Sequence, residues 1–333
     1  MCPWIACEPS GECARAAGQG LRLLRMCAAR SLGAALFVFA ALLILLSGPV
    51  PAHAQQAQTA PGQTVWDPLV QRLLADGFDP ARTQALFARP ELRFDPQVMA
   101  RKMNALLEIK LSPDRPKAEP PELYWSYLNP LLLMQARDFL DEQRAALREA
   151  RVRYGVPEEV LTALLLVETK LGRNLGGRGA LATLASMALA GDFALISPYI
   201  EQGGLSAELA QWLRWRTAQK AAWAYKELKA LLLYAKSANF DPLTIPGSVY
   251  GAIGICQFMP SNAVRFGVDL DGDGRADLFN PAEAVLSTGR FLKANGWREG
   301  LTEEQQKRVL YRYNQSHSYV RTILAVAGRL KAE

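Results

Sequence analysis

Apolar residues recur at three- and four-residue spacing along most of this chain. Leu69, Leu73 and Leu74, then Met99, Met103 and Leu107, mark a helical region from about Trp66 to Lys110. Four prolines between Ser112 and Glu122 predict an extended connector, since proline lacks a helix donor and restricts the residue before it. Leu132, Ala136, Phe139, Leu140, Leu147 and Ala150 then form a stripe among charges, which predicts an amphipathic helix ending near Gly155. Pro157 with Glu158 and Glu159 opens the next helix: proline suits a first turn, and carboxylates suit the positive end of the helix dipole.

That next helix is of another kind. Val160 to Val167 carries no charge, and a helix apolar on every face is buried, so it is expected at the centre of its domain. Glycines punctuate Gly172 to Gly179, an Ala/Leu-rich stretch runs to Ala190, and Asp192 to Gly204 reads as a loop. Trp212 to Ala235 is helical in pattern and rich in aromatic residues, with Trp212, Trp215, Trp223 and Tyr225. Alternating Val/Ile/Thr runs are short or absent. The chain is therefore expected to be mainly α, with strands confined to small hairpins.

The N-terminus follows a different rule. Ser31 to Ala54 is uncharged; its densest apolar part, Leu32 to Leu46, follows Arg22, Arg25 and Arg30 and precedes Ala52-His53-Ala54. This pattern predicts a signal peptide over 1–54, because the apolar run is shorter than the roughly 20 residues that span a bilayer core. A retained inner-membrane anchor is the second reading, and Met26 is an alternative start. The polar, Gln-rich stretch that follows places a linker at 55–65.

With 333 residues, half of them apolar and 21% charged, the chain can build a large core. Removing the leader takes away four arginines and two glutamates, so the net charge falls from +6 to +4. This mild, scattered charge argues against a nucleic-acid partner. The leader also holds four of the five cysteines and one of the two histidines, leaving Cys256 and His317. An internal disulfide and a Cys/His zinc cage are thus excluded from the mature chain. A peptidase built on Cys256 and His317 would lack any recognisable nucleophile motif.

Two segments carry candidate chemistry. Glu168 follows eight uncharged residues at the C-terminal end of the apolar helix, where burial and the negative end of the dipole both raise a carboxyl pKa, as suits a general acid. The competing reading places Glu168 on the one wet face of the helix or as a loop cap, and locally it is the stronger. In the segment from Pro246 to Ser261, Gly247, Gly251 and Gly254 permit close backbone approach, of a neighbouring helix or of a ligand. Ser248 and Gln257 are the polar groups left there, able to bind a sugar or to be satisfied internally. Cys256 reads as a small core residue.

A third segment is acidic. Asp269, Asp271, Asp273, Gly274 and Asp277 follow the oxygen-ligand order of an EF-hand loop, with the Arg275 carbonyl as backbone ligand. The usual glutamate at position twelve is absent, since Asn280 stands there before Pro281.

Val167-Glu168-Thr169-Lys170-Leu171-Gly172, the Gly247 to Ser261 segment and Tyr313-Asn314-Gln315-Ser316 occur in the order seen in lytic murein transglycosylases, and the chain resembles the B-type family. Phe94-Asp95-Pro96, Tyr154-Gly155-Val156-Pro157 and Asn295-Gly296-Trp297 extend the resemblance over most of the mature chain. It implies a mainly α, lysozyme-like α+β fold, with a small β element and an EF-hand-like calcium loop. The implied segments are an N-terminal helical region at 66–150, a transglycosylase core at 151–297 with its calcium loop at 269–283, and a helical segment at 298–333 that completes the site.

The resemblance also reverses the local reading of Glu168, which becomes the lone catalytic carboxyl. The implied reaction cleaves the β-1,4 bond between N-acetylmuramic acid and N-acetylglucosamine of peptidoglycan, forming a 1,6-anhydro ring. Ser248, Gln257, Tyr313 and Asn314 are implied to line the site, with Tyr127 as a further sugar contact. A structural Ca²⁺ would be held by Asp269, Asp271, Asp273, the Arg275 carbonyl and Glu283, the acid that closes the family's longer loop. Periplasmic action on glycan strands follows, with cell-wall synthesis or remodelling proteins as further partners. The stretch near 191–216 is longer than usual in the family, and Ile255-Cys256 replaces a smaller pair before the glutamine. A murein-binding scaffold without turnover is the alternative.

Overall fold

Helices start where short polar side chains can accept from free backbone N–H groups. The side chains of Asp79, Asn129, Ser206, Asn280 and Ser316 each cap the helix that follows, and Thr302 with Gln305 forms a complete capping box. The computed structural model describes residues 64–112 and 121–332. The expected signal peptide and most of the linker therefore lie outside the described residues, as does most of the proline connector.

The first helical region is three helices: α1 (Asp67–Ala75), α2 (Pro80–Phe87) and α3 (Gln97–Leu111). The stripe expected as one helix is two, α4 (Pro130–Glu142) and α5 (Arg144–Tyr154), which break at Gln143 with φ −101° and ψ 18°. No glycine or proline marks that break, so spacing alone missed it. The turn lets α4 pack on the following helix α6 while α5 diverges onto α10 (Pro281–Ala294). Gly155, with φ +69°, ends α5 in the left-handed conformation.

Helix α6 (Glu158–Thr169) is the buried helix expected from its composition. Each residue from Val160 to Val167 is buried, and Leu161, Leu164, Leu165 and Leu166 are fully so. Each such leucine contributes about 2 kcal/mol relative to exposure. Pro157 stands one position earlier than expected, as the extended N-cap before the first turn. Around α6 pack α4, α5, α10 and α12 (His317–Lys331).

After α6, the two-residue strands β1 (Arg178–Gly179) and β2 (Pro246–Gly247) pair antiparallel, Arg178 opposite Gly247. The close approach is specific to glycine: a Cβ on Gly176 would lie 2.1 Å from the Gly247 carbonyl oxygen. Between the strands run α7 (Ala180–Leu189), two 3₁₀ turns within the stretch expected as a loop, and the 31-residue α8 (Ala207–Ser237). Helix α8 packs on α7, on α3 and on the short α9 (Pro260–Phe266). The acidic turn lies between α9 and α10, and α11 (Glu303–Tyr313) precedes α12.

Residues 64–332 pack as one unit, so the N-terminal helices, the apolar helix and the C-terminal pair contribute to a common core. Among the described residues no helix is long and apolar enough to cross a membrane.

Candidate active site

The carboxyl of Glu168 emerges at the last turn of α6, among residues that are otherwise buried. Burial pushes its pKa up to about 7, against the opposing effect of the Tyr319 hydroxyl, which donates to Glu168 Oε1 at 2.5 Å. Among the described residues no cation pairs with this carboxyl. At neutral pH it is therefore poised between acid and base.

Beyond Glu168 the chain turns sharply. Lys170 and Leu171 both have positive φ, of 51° and 60°, which is costly for side chains other than glycine. Thr169 holds this turn, its hydroxyl accepting from Gly172 N–H at 3.0 Å and donating to the Ile255 carbonyl at 2.8 Å. The segment after β2 is thereby fastened to the C-terminal end of α6. Gly247 bridges to Ile253, and Ile253 to Phe258. Gln257 in this loop is also left-handed, with φ 48°, so among the described residues three of the four non-glycine residues of positive φ flank the site. Such strain persists only where the surroundings over-determine it.

Ser248 anchors the start of the loop. Its hydroxyl oxygen accepts from the N–H groups of Tyr250 and Ala252, and its hydrogen remains for a ligand. The Gln257 amide nitrogen donates to the Gly254 carbonyl at 3.0 Å and to the Leu175 carbonyl at 3.5 Å. Gly251 and Gly254 serve packing: a Cβ on either would lie 2.6 Å from Leu184 or 2.5 Å from Leu278. Both readings of this segment thus hold, for different residues.

Tyr313 sits deeper than a substrate contact would. It is 7% exposed, and its hydroxyl donates to the Cys256 carbonyl, so it supports the loop from behind. Asn314 ends α11 with its side-chain oxygen buried and without a hydrogen-bond partner. Tyr127 lies half-buried on the 3₁₀ turn Trp125–Leu128; burial first, then the Glu168 charge, raise the Tyr319 pKa well above its ordinary value, with Tyr127 adding the least. Tyr319 itself escaped the sequence reading, because nothing local marks a tyrosine on α12 as the partner of a carboxyl 151 residues away. Cys256 is fully buried and its thiol is pushed up to about 12, while His317 is exposed and stacks on Tyr311. They form no nucleophile and base pair.

A family profile described as a transglycosylase SLT domain matches residues 62–308. The chain belongs to the transglycosylase SLT domain family. It is 32% identical to membrane-bound lytic murein transglycosylase B of Escherichia coli K12 over 162 residues, 49% of this chain and 38% of that protein. The match thus spans well under half of the relative's length. Among solved structures, SltB3 from Pseudomonas aeruginosa in complex with NAG-anhNAM-pentapeptide aligns with TM-score 0.59 at 21% identity, covering 81% of this chain and 80% of that one. The Escherichia coli lytic transglycosylase Slt35 in complex with calcium aligns with TM-score 0.57 at 19% identity, covering 81% and 94%. These structures share the fold, which is mainly α and lysozyme-like.

Two further features of this transglycosylase domain border the site. Lys102 on α3 is 8% exposed, with its ammonium 4.9 Å from the ring centre of Tyr250, two residues after Ser248. Lys220 on α8 has its pKa lowered to about 8 by burial and by repulsion from Lys102 and Arg216. Arg216 adds a buried Nε without a hydrogen-bond partner. Three cations from two helices thus gather beside the loop that begins at Ser248.

In the acidic turn, one carboxylate oxygen each from Asp269, Asp271 and Asp273 lie within 4.8 Å of one another. Each of these side chains also accepts from loop N–H groups, and Gly274 makes the sharp bend with φ +85°. Glu283, on the first turn of α10 and 2% exposed, accepts from Leu270 N–H at 2.8 Å and from Asp277 N–H. An all-oxygen set of convergent carboxylates fits a hard divalent cation such as Ca²⁺.

Proposed function

We propose that this chain is a lytic transglycosylase. It cleaves the β-1,4 bond between N-acetylmuramic acid and N-acetylglucosamine in peptidoglycan and closes a 1,6-anhydro ring on the muramoyl residue. The observation that carries the reading is the single carboxyl of Glu168, held near neutrality by burial at the edge of the Ser248–Gln257 loop. Hydrolysing glycosidases usually flank the bond with two carboxyl groups. Ring closure needs one, used twice.

In the first half-reaction protonated Glu168 gives its proton to the glycosidic oxygen as the C1–O4 bond breaks. The positive charge that develops at C1 is oxocarbenium-like and is assisted by the neighbouring N-acetyl group. In the second, Glu168 as carboxylate takes the proton of the C6 hydroxyl while O6 bonds to C1. The proton lost is regained, and no water is consumed. Tyr319 donates to Oε1, so the transferable proton resides on Oε2. Ser248, Gln257, Asn314 and Tyr127 present the hydroxyls and amides that hold the sugars, and Tyr313 supports Gln257 through the Cys256 carbonyl.

Asp269, Asp271, Asp273, the Arg275 carbonyl and Glu283 would hold Ca²⁺, which supplies a structural crosslink when bound. The cations Lys102, Arg216 and Lys220 suit the carboxylates of stem peptides that glycan strands carry. The sequence leader supports action at the periplasmic murein, alongside enzymes that build and remodel it. The peptide-bearing ligand of the Pseudomonas structure supports this substrate class.

Digestion of purified sacculi by wild type and Glu168→Gln, followed by mass analysis, tests the reading. Wild type is expected to release muropeptides one water lighter than hydrolytic products, and the variant to lose at least 100-fold in rate. Intact sacculi that retain the bound wild-type protein would instead identify a scaffold.

A further inference from the structure

Ile255 is held from both sides. Its N–H donates to the Leu278 carbonyl at 2.9 Å, and its carbonyl accepts from Thr169 Oγ1 at 2.8 Å. Leu278 follows Asp277, whose N–H donates to Glu283, and Thr169 follows Glu168. A line of peptide bonds and largely buried hydrogen bonds therefore runs from the acid that closes the acidic turn, through 277 and 278, across Ile255, to the catalytic helix.

Little slack exists along this line. A Cβ on Gly254 would lie 2.5 Å from Leu278 Cβ and 2.8 Å from its carbonyl oxygen. Leu278 N–H donates in turn to the buried Tyr234 hydroxyl at 3.1 Å. Gln257, in its left-handed conformation, depends on Gly254 twice, since its backbone N–H and its side-chain amide both donate to the Gly254 carbonyl. A displacement of 277–278 is thus passed to Gly254, Ile255 and Gln257. Three carboxylates crowded within 4.8 Å repel one another until a cation draws them together, so the loop has a reason to sit differently with and without one.

We propose that Thr169 is a positioning residue that couples cation binding in the acidic turn, through the loop 248–257, to glycan binding against Glu168 at the end of α6. The proposal rests on the transglycosylase reading of that loop. Coupling between two sites is reciprocal: the factor by which the cation tightens the sugar is the factor by which the sugar tightens the cation.

The test is calorimetric and uses the full chain, with CaCl₂ and the disaccharide N-acetylglucosaminyl-1,6-anhydromuramic acid as probes. Calcium is titrated with and without saturating disaccharide, and disaccharide is titrated with calcium or with chelator. Disaccharide affinity is expected to rise about 5-fold or more when calcium is bound, and calcium affinity to rise by the same factor. Thr169→Val is expected to bring that factor close to one while binding calcium alone as wild type does. Thr169→Ser, which keeps the hydroxyl, restores it. A merely structural role for Thr169 would change stability in both variants without touching the factor.

A factor of one in wild type overturns the coupling, and that measurement requires no variant to fold. Retention of the wild-type factor in Thr169→Val also overturns it, as does the absence of calcium binding or of disaccharide binding under either condition. Sacculus digestion by the same preparation separates failure of the coupling from failure of the transglycosylase reading, because wild type would still release anhydro products in the first case.

Discussion

Glu168 and Tyr319 set the pH behaviour of the site together. A carboxyl lifted to about 7 is protonated, and usable as an acid, only below that value, so kcat/KM for sacculus fragments is expected to fall as pH rises through it. The Tyr319 hydroxyl stabilises the ionised form and holds this pKa down. Tyr319→Phe is therefore expected to move the alkaline limb to higher pH while lowering the plateau about 10-fold, equivalent to about 1.4 kcal/mol. A limb that stays in place would show that Tyr319 does not set the acid. Eight uncharged residues drew attention to Glu168 in sequence, but locally they favoured a wet face or loop cap, and it was the family resemblance that made it the candidate acid. Its partner was not legible, because a contact across 151 residues is made by packing and leaves no local trace.

The same raised pKa has a stability side. The unfolded chain ionises Glu168 near its ordinary value of 4.5, whereas the folded chain holds the proton up to about 7. The stability that this neutral carboxyl allows is full below 4.5 and is lost as pH rises to about 7. Glu168→Gln, which carries no such penalty, is expected to gain on wild type by up to about 3 kcal/mol between pH 4 and pH 8, measured by urea unfolding. An equal difference at both pH values would mean that the carboxyl is well solvated.

At the level of elements, patterning and capping made the helices readable, and the apolar run Val160 to Val167 correctly placed α6 at the centre. The break at Gln143 and the two-residue strands were not readable, since each is decided by what the chain packs against. The glycines at 247, 251 and 254 were ambiguous for the same reason: spacing shows freedom of approach but not toward what. The structure assigns Gly254 to the Leu278 backbone, with φ +75°. Gly254→Ala is therefore expected to cost about 3 kcal/mol or more, combining left-handed strain with a clash that backbone cannot relieve. Gly300, with φ +76° and nothing within 4 Å of a built Cβ, is the matched control. Gly300→Ala carries only the strain, about 1 kcal/mol, so the difference in urea unfolding between the two variants isolates the packing.

Across the whole molecule, charge that looks scattered in sequence becomes organised in space. Lys102 comes from the N-terminal helices and Arg216 and Lys220 from the long helix α8; Tyr250, under the Lys102 ammonium, comes from the loop 248–257. Arg216 stands at the end of the 191–216 stretch, on the helix that also carries Lys220. A net charge of +4 could not reveal this. Burial first, and repulsion from Lys102 and Arg216 after it, lower Lys220 to about 8, and an anion bound beside it would relieve that cost. Under the proposed function, stem-peptide carboxylates would provide such an anion. Lys220→Gln is expected to raise KM about 5-fold for peptide-bearing glycan and to leave KM unchanged for the same glycan after an amidase has removed its peptides, with kcat retained in both. Added salt should weaken the peptide-bearing substrate in wild type more than in the variant. Equal effects of Lys220→Gln on the two substrates would place the cluster outside substrate recognition.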